Sequence, residues 1–312
     1  MMKKCIKIGT RGSMLALWQS NWVKGMIEGR YPGVTVELVR IVTKGDKILD
    51  VPLAMVGGKG LFVKEIEDAL LREEVDIAVH SMKDVPTVLP DELHIGIITK
   101  REDPRDAFLS VKYGSVAELP AGARVGTSSL RRKSQLAAMR SDLVIEDLRG
   151  NLDTRVRKLD EGVYDAVILA TAGLNRLNMA HRITAHFSPE QMLPAIAQGA
   201  VGIELRKKDS ELLDGLRFMD DRDTAVAVSA ERAFLARLEG GCQVPIGGHG
   251  RLEGGRLIFT GLIASVDGKQ IFKESVSGDP ADAAAIGHDL AERMLRQGAG
   301  KILAEVYNTE IS

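Results

Sequence analysis

A chain of 312 residues with 45% hydrophobic content holds enough apolar material for two or three packed domains. Its formal net charge of −1 argues against a general nucleic-acid binder, which needs a basic excess. Two cysteines without a C-x-x-C pair exclude a disulfide framework and a cysteine zinc site. The first nine residues turn polar too early for a secretory signal, and no apolar run approaches the roughly 18–20 residues of a membrane span, so a soluble cytoplasmic protein is expected.

In chain order, residues 6–8 predict a first strand, in which Cys5 reads as packing beside Ile6. A Gly9-Thr10 turn and Ser13 lead into a helix from Met14. Hydroxyls and free N–H groups at such a helix start make a ready anion site. Residues 43–60 read as an ordinary surface loop, with a mobile lid as the alternative, and Gly57-Gly58-Lys59-Gly60 lacks P-loop spacing. An amphipathic helix over 63–72 precedes a buried-looking strand over 75–84 that ends in polar residues.

A charged stretch with a proline at 99–105 marks a lobe boundary, and the design then repeats. Strand, Gly126-Thr127, serines and a helix recur at 124–132, followed by an amphipathic helix over 154–162 and a strand over 164–176. Two β-α-β units with mostly parallel sheets result, and ligands in such sheets sit at the carboxyl ends of strands. The apolar run 199–205 is expected to return the chain to the first lobe. After Asp221 the pattern changes: a helix over 224–239, strands over 256–264 and 270–276 around an Asp267-Gly268 turn, and a helix over 280–297 form a small third α/β domain. The expected division is 1–99 with 200–220, 100–199, and 221–312.

Three groups of residues carry chemistry. Cys242 stands among Gly240, Gly241, Gly247 and Gly248, in a loop with little volume to bury. Most lone cysteines are small buried hydrophobes. This one follows a helix C-terminus, whose partial negative charge disfavours a thiolate, and so suits a one-time attachment point better than a cycling nucleophile. Arg11, Arg131, Arg132, Arg149, Arg155 and Arg176 all fall near strand ends or helix starts. Taken singly, each arginine is better read as surface or local pairing; together they imply a ligand with several carboxylates or phosphates. Lys83 and Asp84 sit at a strand end before Pro86, either as a solvated turn or as an anion contact and an acid/base group. His80 reads as packing, since no partner has metal-ligand spacing.

The motifs Gly9-Thr10-Arg11-Gly12-Ser13, Gly58-Lys59-Gly60-Leu61-Phe62, His80-Ser81-Met82-Lys83-Asp84-Val85-Pro86, Gly126-Thr127-Ser128-Ser129-Leu130-Arg131-Arg132, Arg149-Gly150-Asn151-Leu152-Asp153-Thr154-Arg155 and Gly241-Cys242 occur in that order. Together they closely resemble the hydroxymethylbilane synthase (porphobilinogen deaminase) family, from Gly9 to about Gly248. The resemblance implies two lobes like type II periplasmic binding proteins and a small C-terminal α/β domain. It implies condensation of four porphobilinogen molecules, with loss of ammonia, onto a dipyrromethane primer held by Cys242, then hydrolytic release of the tetrapyrrole. Asp84 matches the catalytic aspartate. Lys83, Ser81, Ser13, Thr127, Ser129, Arg131, Arg132 and Asp84 are implied cofactor contacts. Arg11, Arg149, Arg155, Arg176, Gln19 and Gln198 are implied substrate contacts. No metal, nucleic acid or membrane is implied; a monomer that passes its product to uroporphyrinogen-III synthase is. The rivals are a non-catalytic polycarboxylate-binding module and a pyridoxal-phosphate enzyme using Lys83.

Overall fold

The computed structural model describes residues 3–47, 60–239 and 244–309. In chain order the first part holds β1 (Cys5–Thr10), α1 (Met14–Arg30), β2 (Thr35–Arg40), α2 (Lys64–Leu71), β3 (Ile77–Ser81) and β4 (Leu93–Ile98). The next part holds β5 (Asp106–Leu109), β6 (Arg124–Gly126), α3 (Leu130–Met139), β7 (Val144–Glu146), α4 (Leu152–Asp160), β8 (Ala166–Ala170), α5 (Thr171–Arg176) and β9 (Ala185–His186). Then come β10 (Val201–Arg206), α6 (Ser210–Leu216) and α7 (Arg222–Arg237), and finally β11 (Ile246–Glu253), β12 (Arg256–Ala264), β13 (Ile271–Gly278), α8 (Ala283–Met294) and α9 (Gly300–Thr309).

Local chemistry accounts for the first elements. Ile6 and Ile8 alternate with exposed Lys7 along β1 and are fully buried. Ser13 caps α1 by accepting the Ala16 N–H. Val23 and Ile27, one helical turn apart, then bury against the sheet. β3 and β8 are buried almost throughout, as strands covered on both faces must be.

The first sheet runs β2-β1-β3-β10-β4 and the second β7-β6-β8-β5-β9. β1 is parallel to β2 and β3, whereas β10 is antiparallel to both β3 and β4. β6 is parallel to β7 and β8, whereas β5 is antiparallel to both β8 and β9. Each sheet thus has four strands in one direction and a reversed strand in fourth place, the plan of a type II periplasmic-binding-protein lobe. By its internal contacts the chain divides into Met1–Glu102 with Ala200–Ala225, and Asp103–Gly199 with Val226–Ser312. The reversed strand of each sheet is the first that the chain enters after crossing between these units.

The third sheet is an antiparallel meander, β11-β12-β13, in the second unit. Phe234 of α7 meets Phe259 of β12 edge-on at 5.4 Å between ring centroids. The turn between β12 and β13 seats on α3. Gly268 has φ +72°, and a Cβ there would lie 2.5 Å from the Ser134 carbonyl oxygen. The C-terminal segment differs from expectation. The helix over 280–297 resolves into a 3₁₀ turn, α8 and a π turn with Gly298 at φ +109°, and a further helix, α9, follows.

Candidate active site

In the first unit, the candidate residues gather at the ends of β1 and β3. Gln19 of α1 is buried, and its Nε2 donates to Ser81 Oγ at 2.8 Å. Beneath it, the Ser20 hydroxyl donates to Thr10 Oγ1 at 2.7 Å. Beyond Ser81 the chain makes one 3₁₀ turn, Met82–Asp84, which presents Lys83 and Asp84 half-buried while Met82 points inward. Ser13 precedes α1, and its Oγ accepts the Ala16 N–H.

Arg11 is held by two groups, Asp46 and Phe62, whose pairing with it no local sequence pattern shows. Its Nη2 reaches Asp46 at 2.5 Å, and its guanidinium stacks 4.2 Å from the Phe62 ring centroid. Burial alone would raise the Asp46 carboxyl, but Arg11 and Thr43 outweigh it and hold it below its ordinary value. Asp46 belongs to the short helix Lys44–Lys47 inside the stretch read as a loop. The rest of that stretch, 48–59, lies outside the described residues, so the lid reading does too.

His80 is a packing residue, as expected: its Nε2 lies 2.9 Å from Glu204 Oε2, and both side chains are buried. Glu67 of α2 lies close to this pair. Burial, and then the charge of Glu204, push its carboxyl up to about 7. The raised value means that the folded chain holds a proton the unfolded chain releases. The stabilisation is therefore complete below about pH 4.5 and lost as pH rises through about 7. Glu67→Gln is expected to flatten this dependence in urea unfolding run at several pH values; an unchanged slope would count against a protonated Glu67.

In the second unit, β6 ends at Gly126 and leads through Thr127, Ser128 and Ser129 into α3. Thr127 Oγ1 accepts the Ser129 N–H at 3.3 Å, and Ser128 Oγ donates to the Leu148 carbonyl at 3.0 Å. Ser129 is the N-cap, yet its hydroxyl makes no capping bond. Arg131 and Arg132 turn inward onto one carboxylate, Asp106, at 2.7 Å each, with only 4% and 6% of their surface exposed. Arg131 also donates to the Leu193 carbonyl and Arg132 to that of Ile168. Gln198 completes the cluster by donating to Asp106 Oδ1 at 3.0 Å. Sequence reading missed Asp106. Its one signal is an acid that opens the apolar strand Asp106–Leu109, a position at which an unpaired charge is costly.

The arginines therefore divide. Arg131, Arg132 and Arg176 are more than nine-tenths buried, and Arg176 Nη2 donates to the Gly199 carbonyl at 2.8 Å. Arg149 sits at the turn before α4 and Arg155 in the first turn of α4; both are half-buried, and Arg155 Nε donates back to the Gly150 carbonyl at 2.8 Å. Cys242 lies outside the described residues. Among the described residues, no group of three His, Cys, Asp or Glu is placed to hold a metal ion, and no helix is long and apolar enough to cross a membrane.

Two lobes of one plan, each with cations and hydroxyls near strand ends, define a two-lobed α/β protein. Comparison with known proteins makes the class specific. Residues 6–214 match the family described as porphobilinogen deaminase, dipyromethane cofactor binding domain, and residues 225–296 match its C-terminal domain. A porphobilinogen deaminase of Trichlorobacter lovleyi is 56% identical over 312 residues, covering all of both chains. One of Geobacter metallireducens is 57% identical over 314 residues, covering 100% of this chain and 98% of that protein. Among solved structures, a nutrient-binding protein of Burkholderia cenocepacia superposes with TM-score 0.43 at 15% identity, over 68% of this chain and 89% of that one. The chain belongs to the porphobilinogen deaminase family. It is a transferase of porphyrin biosynthesis, a hydroxymethylbilane synthase, and uses the family's dipyrromethane cofactor.

Proposed function

We propose that this chain condenses four porphobilinogen molecules head to tail on a dipyrromethane attached to Cys242, and then releases the tetrapyrrole by hydrolysis, with Asp84 as the catalytic carboxylate. The observation that supports this reading most is the Met82–Asp84 turn. It ends a buried strand and holds an ammonium and a carboxylate side by side, half-buried. The donor set suits the cofactor, since hydroxyls and cations meet carboxylates while a single carboxylate meets pyrrole N–H groups. When bound, the cofactor supplies the nucleophilic pyrrole that starts the chain.

Asp84 would accept hydrogen bonds from pyrrole N–H groups of the bound cofactor and substrate, and would be the residue that holds a proton during loss of ammonia. Lys83, Ser81, Ser13, Thr127 and Ser129 bind cofactor carboxylates. Arg131 and Arg132 join them from the Asp106 cluster. Arg11, Arg149, Arg155, Arg176, Gln19 and Gln198 hold the acetate and propionate groups of incoming and growing chain. The C-terminal segment from 221 forms a domain of its own, after lobes of 1–99 with 200–220 and 100–199. The enzyme acts in the cytoplasm as a monomer and passes its product to uroporphyrinogen-III synthase.

The test is the intact mass of the denatured protein with peptide mapping around Cys242. Two deaminated porphobilinogen units on that peptide are expected, either as purified or after incubation with porphobilinogen. An unmodified Cys242 after incubation would reject the reading. Arg149→Ala and Arg155→Ala should each slow elongation by about 10-fold or more, the loss of a charge-assisted bond. Partly elongated species should then accumulate by mass spectrometry; wild-type progress curves would remove both residues from the role.

A further inference from the structure

We propose that β10 is the positioning element of the segment bearing Asp84, with Gly202 and Glu204 as its positioning residues. The proposal rests on the assignment of Asp84 as the catalytic carboxylate. β10 runs antiparallel to β3, with Val201 opposite Ser81, Gly202 opposite His80 and Glu204 opposite Ala78. The contact continues past the end of β3, because the Met82 N–H donates to the Ala200 carbonyl at 3.0 Å.

Gly202 makes room for the next step. Met82 is 1% exposed, and a Cβ on Gly202 would lie 2.1 Å from Met82 Sδ and 3.2 Å from its Cγ. Only a residue without a Cβ lets the Met82 side chain lie on the β10 backbone. Met82 opens the 3₁₀ turn that Val85 N–H closes onto the Met82 carbonyl, so the seat of Met82 sets the direction of Lys83 and Asp84. Glu204 anchors the residue on the other side of Ser81, through His80 Nε2 at 2.9 Å. The segment is thus tied at three successive residues: His80 by Glu204, Ser81 by Gln19, and Met82 by Ala200 and Gly202.

A strand that merely fills the core would lose stability on substitution but leave the turnover of each folded molecule unchanged. A positioning strand loses kcat, because a misplacement near 1 Å at the reacting groups costs about 100-fold. The experiment compares Gly202→Ala, the double variant Gly202→Ala with Met82→Ala, Glu204→Gln and Asp84→Asn, each as holoenzyme. Turnover is normalised to folded protein that carries the Cys242 adduct. Gly202→Ala is expected to lower kcat about 10- to 100-fold with KM for porphobilinogen within about twofold. Removing the clashing side chain in the double variant should restore at least half of that loss on a logarithmic scale. Should Gly202→Ala not fold, Glu204→Gln keeps the side-chain volume and is expected to lower kcat several-fold at unchanged KM. Wild-type kcat per adduct-bearing molecule in Gly202→Ala, or in Glu204→Gln where the former does not fold, overturns the proposal if Asp84→Asn is inactive. Full turnover by Asp84→Asn overturns instead the assignment of Asp84, and the proposal with it.

Discussion

Asp84→Asn is expected to fold like the parent and to lose turnover by about 100- to 10,000-fold, the range a positioned acid/base group contributes. Asn keeps the volume of Asp and an acceptor oxygen, so the Met82–Asp84 turn has no reason to move: its ties run through Met82 and Val85, not through the Asp84 side chain. What disappears is the negative charge and the site for a proton. Positive character on pyrrole nitrogens during loss of ammonia then has no fixed counter-charge, and preorganised charge is the largest single contribution in many active sites. Single-turnover measurement with porphobilinogen separates this from a binding defect. A thermal melt within a few degrees of the parent, together with slow formation of the first elongated species, is the expected pair of results. Near-parental rates would remove Asp84 from the chemistry.

Asp106→Ala is expected to cost about 3–5 kcal/mol of stability, the range for breaking a buried ion pair by removing one partner. Asp106 is fully buried and receives Arg131, Arg132 and the Gln198 amide. Without it, two guanidiniums remain in the interior of the second unit facing no carboxylate of their own. Burial would raise the Asp106 carboxyl, but the two arginines outweigh it and hold it well below the ordinary carboxylate value of 3.8. The folded-state value is depressed, so the stabilisation is present above pH 3.8 and lost as pH falls below it. Urea unfolding near neutral pH is the measurement, and Asp106→Ala should also remove part of the parent's acid sensitivity. A loss below about 1 kcal/mol would mean that the cluster contributes little, as exposed pairs do. Any fall in activity should track the fraction folded unless Arg131 and Arg132 also lose their orientation; normalising to folded protein distinguishes the two.

The amino-acid sequence by itself determined the plan of each lobe. The strand, Gly-Thr turn, serine and helix at Gly9–Ser13 and again at Gly126–Ser129 are spelled by neighbouring residues, because turns and periodicity are local physics, although only Ser13 makes the capping bond. The same holds for the Met82–Asp84 motif and for the family to which the chain belongs. Tertiary structure alone decided that β5 and β10 run reversed: each is entered after the chain crosses between units and pairs with strands of its own unit that lie far from it in the sequence. It also decided the fate of the arginines. Nothing in residue type separates Arg132, turned inward onto Asp106 26 positions away, from Arg155, half-buried beside its own turn. Likewise Gln19 meets Ser81 across 62 positions. A local pattern specifies which face of an element turns inward. It does not specify which distant group waits there, and burial of a charge is permitted only when such a partner is present.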